Sequence, residues 1–132
     1  MPKKVKKLTY SKAKQRAWAA FSKFIRLRDQ KQGCYTCGVI KPYKEMQAGH
    51  WIPGRHNSIL FDERNCHSQC YHCNIGLQGS PIKYYDRMLK EYGEEVCDTL
   101  KEFDRLITIY KVVDFLEIEQ KYLALVATYE QD

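Results

Sequence analysis

The sequence lacks any apolar run long enough to cross a membrane, which takes about 20 residues. Its basic start, Met1–Lys7, is followed by no apolar stretch of the signal-peptide type. Internal repeats and low-complexity segments are absent beyond these first lysines. We therefore expect no membrane contact and an intracellular, cytoplasmic protein of 132 residues, with one domain over 10–132 behind a basic flexible arm, residues 1–9.

Acidic residues are scarce near the start of the chain. Residues 1–31 hold eleven lysines and arginines against one acidic residue, whereas the remainder holds eleven against fifteen. A basic segment on an acidic body predicts a polyanionic partner, most simply DNA, and a tail that only aids solubility is the alternative. The cations of this segment that we expect to bind DNA are Lys3, Lys4, Lys6, Lys7, Lys14, Arg16 and Arg26.

Four of the six cysteines form two Cys-x-x-Cys pairs, which are Cys34 with Cys37 and Cys70 with Cys73. Each pair is a tight turn that can aim two thiolates at one ion, and four thiolates satisfy a tetrahedral zinc without an open position. In a chain with no secretion signal, a metal is a better interpretation than disulfides. We expect a structural zinc here. The remaining two, Cys66 and Cys97, are expected to be free and partly buried, with Cys66 as a rival ligand.

Hydrophobic periodicity predicts a mostly helical α+β fold around this four-cysteine zinc site, which would clip the chain together. A zinc and catalytic core is expected over 33–80, followed by a helical part over 81–132. Two short strands are predicted within 39–52 and loops over 53–58 and 62–65. The predicted helices are a basic one from an N-cap at Ser11 to about Gln30, a short one from about Cys73 to Gly79, and three over 82–92, 94–107 and 113–129. The last has a wide apolar stripe that a second chain could cover, which leaves a homodimer open.

All four histidines lie within the segment that runs from Cys34 to Cys73. His50 ends a predicted strand, and a neutral imidazole can take a proton from water near pH 7, so we expect a general base there, with a zinc-binding or core histidine as the alternative. The amide oxygen of Asn74 is a hard ligand suited to Mg²⁺ or Mn²⁺, with helix capping as the alternative. Arg55 and Arg64 can each clamp a phosphate, a surface salt bridge being equally compatible with the sequence.

The second cysteine pair stands in the pattern N-x4-C-x2-C-N, which runs from Asn65 to Asn74, and His50 is followed by Ile52-Pro53. These two elements resemble the zinc-containing HNH, or ββα-metal, endonucleases. Over about residues 20–100 the chain is more closely similar to the NinG (Rap) family of phage recombination endonucleases. The motifs that carry this similarity are Phe24-Ile25-Arg26, Arg28-Asp29, Cys34-x2-Cys37-Gly38, Ala48-Gly49-His50 and Phe61-x-Glu63-Arg64-Asn65-x-His67-x-Gln69-Cys70-x2-Cys73-Asn74.

The resemblance implies a zinc-clipped, treble-clef-like ββα-metal core and a metal-dependent DNA endonuclease. Its substrates would be branched recombination intermediates such as Holliday junctions and D-loops, and its catalytic ion Mg²⁺ or Mn²⁺. A phage-encoded enzyme of this kind would act in the host cell cytoplasm. The alternatives are a general HNH nicking endonuclease without branch preference and a non-catalytic zinc module that binds DNA.

The resemblance also implies roles for individual residues, with one departure. His50 takes the place of the general base, Asn65 that of the amide that orients it, and Asn74 a metal-binding position. The residue before the base is usually an Asp or His that binds the metal, but here it is Gly49. Another residue must therefore supply the metal ligand that is missing at position 49. His67 is the first candidate, and we also count it among the expected catalytic residues. Glu63 and Asp62 come next, and Gln47 is weaker.

Overall fold

A computed structural model describes residues 7–54 and 56–130. Four expected DNA contacts, Lys3, Lys4, Lys6 and Arg55, lie outside the described residues. The described chain is mostly helical with one small sheet, which confirms the α+β class. Its elements are α1 (Tyr10–Arg28), a 3₁₀ turn (Tyr43–Glu45), β1 (Met46–His50), α2 (Asn57–Leu60), β2 (Cys66–Cys70), a π-helical turn (His72–Gly76), α3 (Pro81–Tyr92), α4 (Glu94–Asp104) and α5 (Val112–Tyr129).

Helix α1 begins one residue before the predicted N-cap. The hydroxyl of Thr9 accepts a hydrogen bond from the backbone N–H of Lys12 at 3.2 Å, so Thr9 rather than Ser11 is the N-cap. Its aromatic residues Phe21 and Phe24 are buried against Tyr122 of α5, with ring centroids 4.9 and 5.2 Å apart. The apolar stripe of α5 is thus covered by α1 of the same chain.

One of the two strands of the sheet lies outside the segment in which the sequence predicts both strands. Only one strand, β1, forms within 39–52, and it pairs antiparallel with β2, so that Met46 lies opposite Cys70 and His50 opposite Cys66. Strand β2 has the sequence Cys-His-Ser-Gln-Cys and is buried at every position. It shows no alternation of apolar and polar residues because both of its faces are covered, and this is why periodicity did not reveal it.

The C-terminal helices match their predicted positions except at the end of α4. This helix stops at Asp104, so Ile107 leaves the predicted apolar face and is 91% exposed. None of the helices among the described residues combines the length and the apolar character needed to cross a bilayer.

The end of α1 is fixed to β2 by one arginine and one aspartate. The guanidinium of Arg28 donates to the carboxylate of Asp29 and to the backbone carbonyls of Glu63, at 3.0 Å, and Cys66, at 2.8 Å. The same carboxylate accepts from the backbone N–H of Ser68 at 2.9 Å. Because Asp29 is 6% exposed, these hydrogen bonds are sheltered from water and fasten the helix to the strand.

Candidate functional site

The four cysteines of the two pairs converge on one point. The sulfurs of Cys34, Cys37, Cys70 and Cys73 all lie within 4.8 Å of one another, and the Sγ atoms of Cys37 and Cys70 are 3.7 Å apart. A tetrahedral zinc with Zn–S bonds of about 2.3 Å has sulfur–sulfur edges of about 3.8 Å. The donor set and its spacing therefore fit zinc. A fifth cysteine, Cys66, is buried in the apolar cluster beneath α1 and takes no part in the group.

Backbone turns at two glycines shape the first cysteine pair. Gly33 and Gly38 have φ values of +77° and +80°, in the left-handed region that favours glycine. A Cβ at Gly33 would lie 2.5 Å from the carbonyl oxygen of Val39, which itself accepts from the N–H of Cys34 at 2.8 Å. The tight turn thus needs the glycine, and it directs the first two sulfurs toward the second pair.

The surroundings affect the sulfurs of Cys34 and Cys37 in opposite directions. Burial tends to raise the pKa of Cys34, but backbone N–H groups, led by that of Cys70, and the Thr36 hydroxyl lower it overall to about 6. Burial and the neighbouring thiols raise the pKa of Cys37 to about 12. Four sulfurs this close cannot all ionise unaided because like charges repel. A divalent ion removes that penalty, which is the electrostatic reason that the cluster suits a metal.

His50 is held by contacts on two sides. It is the last residue of β1, and its Nε2 lies 3.1 Å from the backbone carbonyl oxygen of Leu60. A carbonyl only accepts, so Nε2 carries the hydrogen in the neutral ring and Nδ1 holds the basic lone pair. The ring also stacks on Trp18 of α1, with centroids 5.1 Å apart and an interplanar angle of 27°. The half-buried imidazole therefore has a fixed orientation and tautomer.

Asn65 pins the chain just beyond His50. Its side-chain oxygen accepts from the N–H of Ile52 at 2.9 Å, and its side-chain nitrogen donates to the Ile52 carbonyl at 3.1 Å. The backbone carbonyl of Asn65 accepts from the N–H of Trp51 at 2.9 Å. The amide is fully buried, so this loop has one defined position beside the imidazole. Asn65 thus fixes the position of the segment that follows His50.

His67 lies in the interior, where both of its ring nitrogens are engaged. The Tyr84 hydroxyl donates to the Gly49 carbonyl at 2.7 Å, so it accepts from Nδ1–H of His67 at 3.0 Å. Nε2 then accepts from the hydroxyl of Tyr92 at 2.9 Å. Burial lowers the pKa of His67 to about 3, and the ring is 2% exposed. This arrangement leaves it no lone pair for a metal: instead of replacing a ligand at Gly49, His67 joins β2 to α3, and the Tyr84 hydroxyl continues the connection to β1.

Glu63 and Gln47, two further candidates to replace the metal ligand missing at Gly49, lie in different parts of the fold. Glu63 accepts from the Tyr122 hydroxyl of α5 at 3.0 Å, so it faces the α1–α5 side. Gln47 accepts from the side-chain nitrogen of Asn74 at 2.7 Å. Of the two, only Gln47 contacts Asn74, the residue expected to approach a catalytic ion.

Gln69, to which the sequence reasoning gave no role, fills the space beside Gly49. A Cβ on Gly49 would lie 1.9 Å from Oε1 of Gln69 and 3.0 Å from Oδ1 of Asn74. The backbone of Gly49 does not have a positive φ, so the close approach of these side chains, not backbone conformation, requires a glycine. The one signal of this contact in the sequence was the glycine itself. A residue without a side chain before His50 leaves room for the side chain of another residue.

Most described cations that were expected to bind DNA also have partners within the chain. Arg16 forms a bidentate ion pair with Glu119 at 2.9 and 2.7 Å, and Arg64 pairs with Asp62 at 2.8 Å. For Arg64 the salt-bridge alternative is therefore the one observed. The rest of the set is distributed as follows: Lys14 donates to Asn57 at 2.9 Å, Arg26 donates to the carbonyls of Ser22 and Tyr43, and Lys7 is exposed.

The fold and the site define a small, mostly helical α+β protein organised around a four-cysteine centre that could hold zinc. Over residues 2–132 the chain matches the family described as Bacteriophage Lambda NinG protein, and it belongs to that family. This confirms the resemblance to NinG proteins that the motifs indicated.

Individual relatives cover part of the chain. It is 32% identical over 88 residues to Protein ninG of Escherichia phage 933W, and 31% identical over 88 residues to Protein ninG of Escherichia phage lambda and of Salmonella phage P22. Each match covers 66% of this chain and 43% of the relative, so the chain spans less than half the length of the relatives it matches. No solved structure matches the chain.

Proposed function

We propose that this chain is a metal-dependent DNA endonuclease that hydrolyses phosphodiester bonds in branched recombination intermediates such as Holliday junctions and D-loops. The observation that carries the proposal is the setting of His50, an imidazole fixed by Leu60 and Trp18 beside a loop pinned by Asn65. Hydrolysis needs a group that takes a proton from water, and a rigidly held neutral imidazole performs this near pH 7. The HNH-like order of His50, Asn65 and Asn74 around the cysteines supports the same chemistry.

The remaining parts of the site have distinct roles in this proposal. Zinc on the four cysteines is structural because the sulfurs fill its coordination shell. A Mg²⁺ or Mn²⁺ ion near the amide oxygen of Asn74 supplies charge relief at the scissile phosphate when bound. The basic arm and the cations of α1 attract the DNA backbone, and the protein acts on DNA in the cytoplasm of the host cell.

The test is cleavage of end-labelled DNA by the zinc-loaded chain in Mg²⁺ or Mn²⁺. The substrates are a four-way junction, a D-loop and a linear duplex of the same sequence. We expect His50→Ala to lower the cleavage rate at least about 100-fold, the usual worth of a general base. The matched control is His72→Ala. His72 is exposed and is not among the residues expected to take part in catalysis or metal binding, so this variant should cut DNA like the unmodified chain.

Each alternative gives its own result in this assay. Equal cutting by the unmodified chain and by His50→Ala removes His50 from its role. Equal cutting of junction and duplex indicates a general nicking endonuclease. Tight, salt-sensitive binding without cleavage under either ion indicates a non-catalytic DNA-binding module, the alternative that the missing ligand at Gly49 favours.

A further inference from the structure

The side chain of Gln69 is buried, and its amide is held in one orientation. It is 0% exposed, and its side-chain nitrogen donates to the hydroxyl of Thr36 at 3.1 Å and to the carbonyl of Gly79 at 3.0 Å. The carbonyl of Gly79 can only accept, so exchanging the nitrogen and oxygen of the amide would bring two acceptors together. The orientation of the amide is therefore determined, and Oε1 faces Gly49 on β1.

This oxygen is buried without a hydrogen-bond partner among residues 7–54 and 56–130. Buried polar oxygens are almost always satisfied, and an unsatisfied one costs stability. A partner for Oε1 must therefore be an electron-poor group that lies outside these described residues, and water as a donor and a cation both meet that requirement.

A second amide oxygen faces the same space. Asn74 donates its side-chain N–H to Gln47 at 2.7 Å, which turns Oδ1 toward Gly49. The two oxygens lie 1.9 Å (Gln69) and 3.0 Å (Asn74) from one point, the position that a Cβ at residue 49 would occupy. Two acceptors directed at one space repel each other unless a positive charge lies between or beside them. Neutral oxygen ligands of this type suit hard divalent cations rather than the softer zinc of the cysteine cluster.

We propose that Gln69 Oε1 and Asn74 Oδ1 are the protein ligands of a divalent-cation site, and that Gln69 reaches from β2 into the space that Gly49 leaves open. Gln69 thereby replaces the missing side chain of residue 49. Both ligands are uncharged, so the protein alone holds the cation weakly and DNA phosphate oxygens complete the site. The inference rests on the proposed function for the use of the ion in cleavage, but not for its binding.

Binding of Mn²⁺ tests this without reference to cleavage. The probe is Mn²⁺, followed by the loss of its free electron paramagnetic resonance signal, with the zinc-saturated full chain carrying His50→Ala so that DNA stays intact. We expect a duplex oligonucleotide to tighten Mn²⁺ binding by this chain at least about tenfold relative to Mn²⁺ with protein or DNA alone, because phosphate oxygens add charge to the site. Chains that bind no Mn²⁺ with or without DNA would overturn the proposal.

Substitutions at Gln69 then identify the ligand. Gln69→Met keeps the length of the side chain but removes the oxygen, and we expect Mn²⁺ affinity in the presence of DNA to fall at least about tenfold. Gln69→Glu adds a negative charge, and we expect Mn²⁺ to bind at least about tenfold more tightly without DNA. The matched control is Gln32→Met, which removes an exposed amide and should leave Mn²⁺ affinity unchanged.

The outcomes separate this inference from the proposed nuclease activity. If Gln69→Met binds Mn²⁺ as the parent chain does, or Gln69→Glu binds it no more tightly, Gln69 is not a ligand, even where DNA is cut. If the Gln69 variants shift Mn²⁺ binding as expected but no DNA is cut, the cation site stands and the nuclease proposal fails. Retained zinc and an unchanged circular dichroism spectrum show that each variant is folded, and Gln69→Glu decides the matter if Gln69→Met does not fold.

Discussion

The close approach of Gln69 to Gly49 makes a quantitative prediction for Gly49→Ala. The new methyl group would lie 1.9 Å from Oε1 and 2.8 Å from Cδ of Gln69, far inside a non-bonded contact of about 3.5 Å. The amide cannot simply move aside, since Thr36 and Gly79 anchor it. Overpacking of a buried site costs about 1–3 kcal/mol, and a lost buried hydrogen bond adds about 1 kcal/mol. We therefore expect Gly49→Ala to lower the free energy of unfolding by about 2–4 kcal/mol.

A double-mutant cycle isolates the contact itself. In a Gln69→Ala background the nearest remaining atom is Oδ1 of Asn74 at 3.0 Å, a contact that a small movement relieves, so Gly49→Ala should cost less than about 1 kcal/mol there. Gly76→Ala is the control, because its Cβ would lie 3.2 Å from the exposed ring of His72 in a helical turn. It should be neutral or stabilising by up to about 1 kcal/mol.

The assay is urea unfolding of the zinc-saturated protein, followed by circular dichroism and fitted with a common m-value. The expected signature is a coupling free energy of about 2–3 kcal/mol between positions 49 and 69. The reasoning is refuted if Gly49→Ala costs the same with and without Gln69, or if it costs nothing in either background.

Three other predictions follow from the zinc centre, the buried histidine and the basic arm. Chelation of zinc, or Cys70→Ala, should lower the melting temperature sharply, because metal binding and folding are coupled; an unchanged melting curve after confirmed zinc loss contradicts a structural metal. The pKa of His67 is about 3 in the folded chain against about 6.5 unfolded, so the unfolded state binds more protons between these values. Stability should thus fall as pH drops from about 6.5 toward 3, by at most about 1.4 kcal/mol per pH unit, and His67→Gln should flatten this slope. Deleting residues 1–9 should make DNA binding less dependent on salt, and an unchanged slope in filter-binding titrations would assign the affinity to the folded part.

The elements that the sequence predicted well depend on local patterns. The four cysteines that could hold zinc were identifiable because Cys-x-x-Cys is a complete ligand turn within four residues. Helices α3 and α5 were predicted almost to the residue because the Ser80-Pro81 break, Gly93 and apolar periodicity mark them. The NinG resemblance rested on the same kind of short, ordered motifs, and the family match confirms it.

The missed features depend on contacts between distant residues. The role of His67 is set by Tyr84 and Tyr92, which lie 17 and 25 residues further along the chain and approach only because α3 packs on the sheet. Likewise, nothing near Gln69 in the sequence indicates that its amide enters the space beside Gly49. Single-sequence reasoning assigns chemistry by residue type, and the partner that occupies or frees a side chain appears only in three dimensions.

The hydrogen bonds that join Arg28 and Asp29 to β2 have a mechanical consequence. Helix α1, strand β2 with Cys70 and, through strand pairing, His50 on β1 are joined into one connected unit. Under the proposed function, a nucleic acid bound to α1 would therefore meet His50 at a distance that the fold sets. The DNA rather than the protein would then have to deform, so the proposal favours substrates that are already bent or opened.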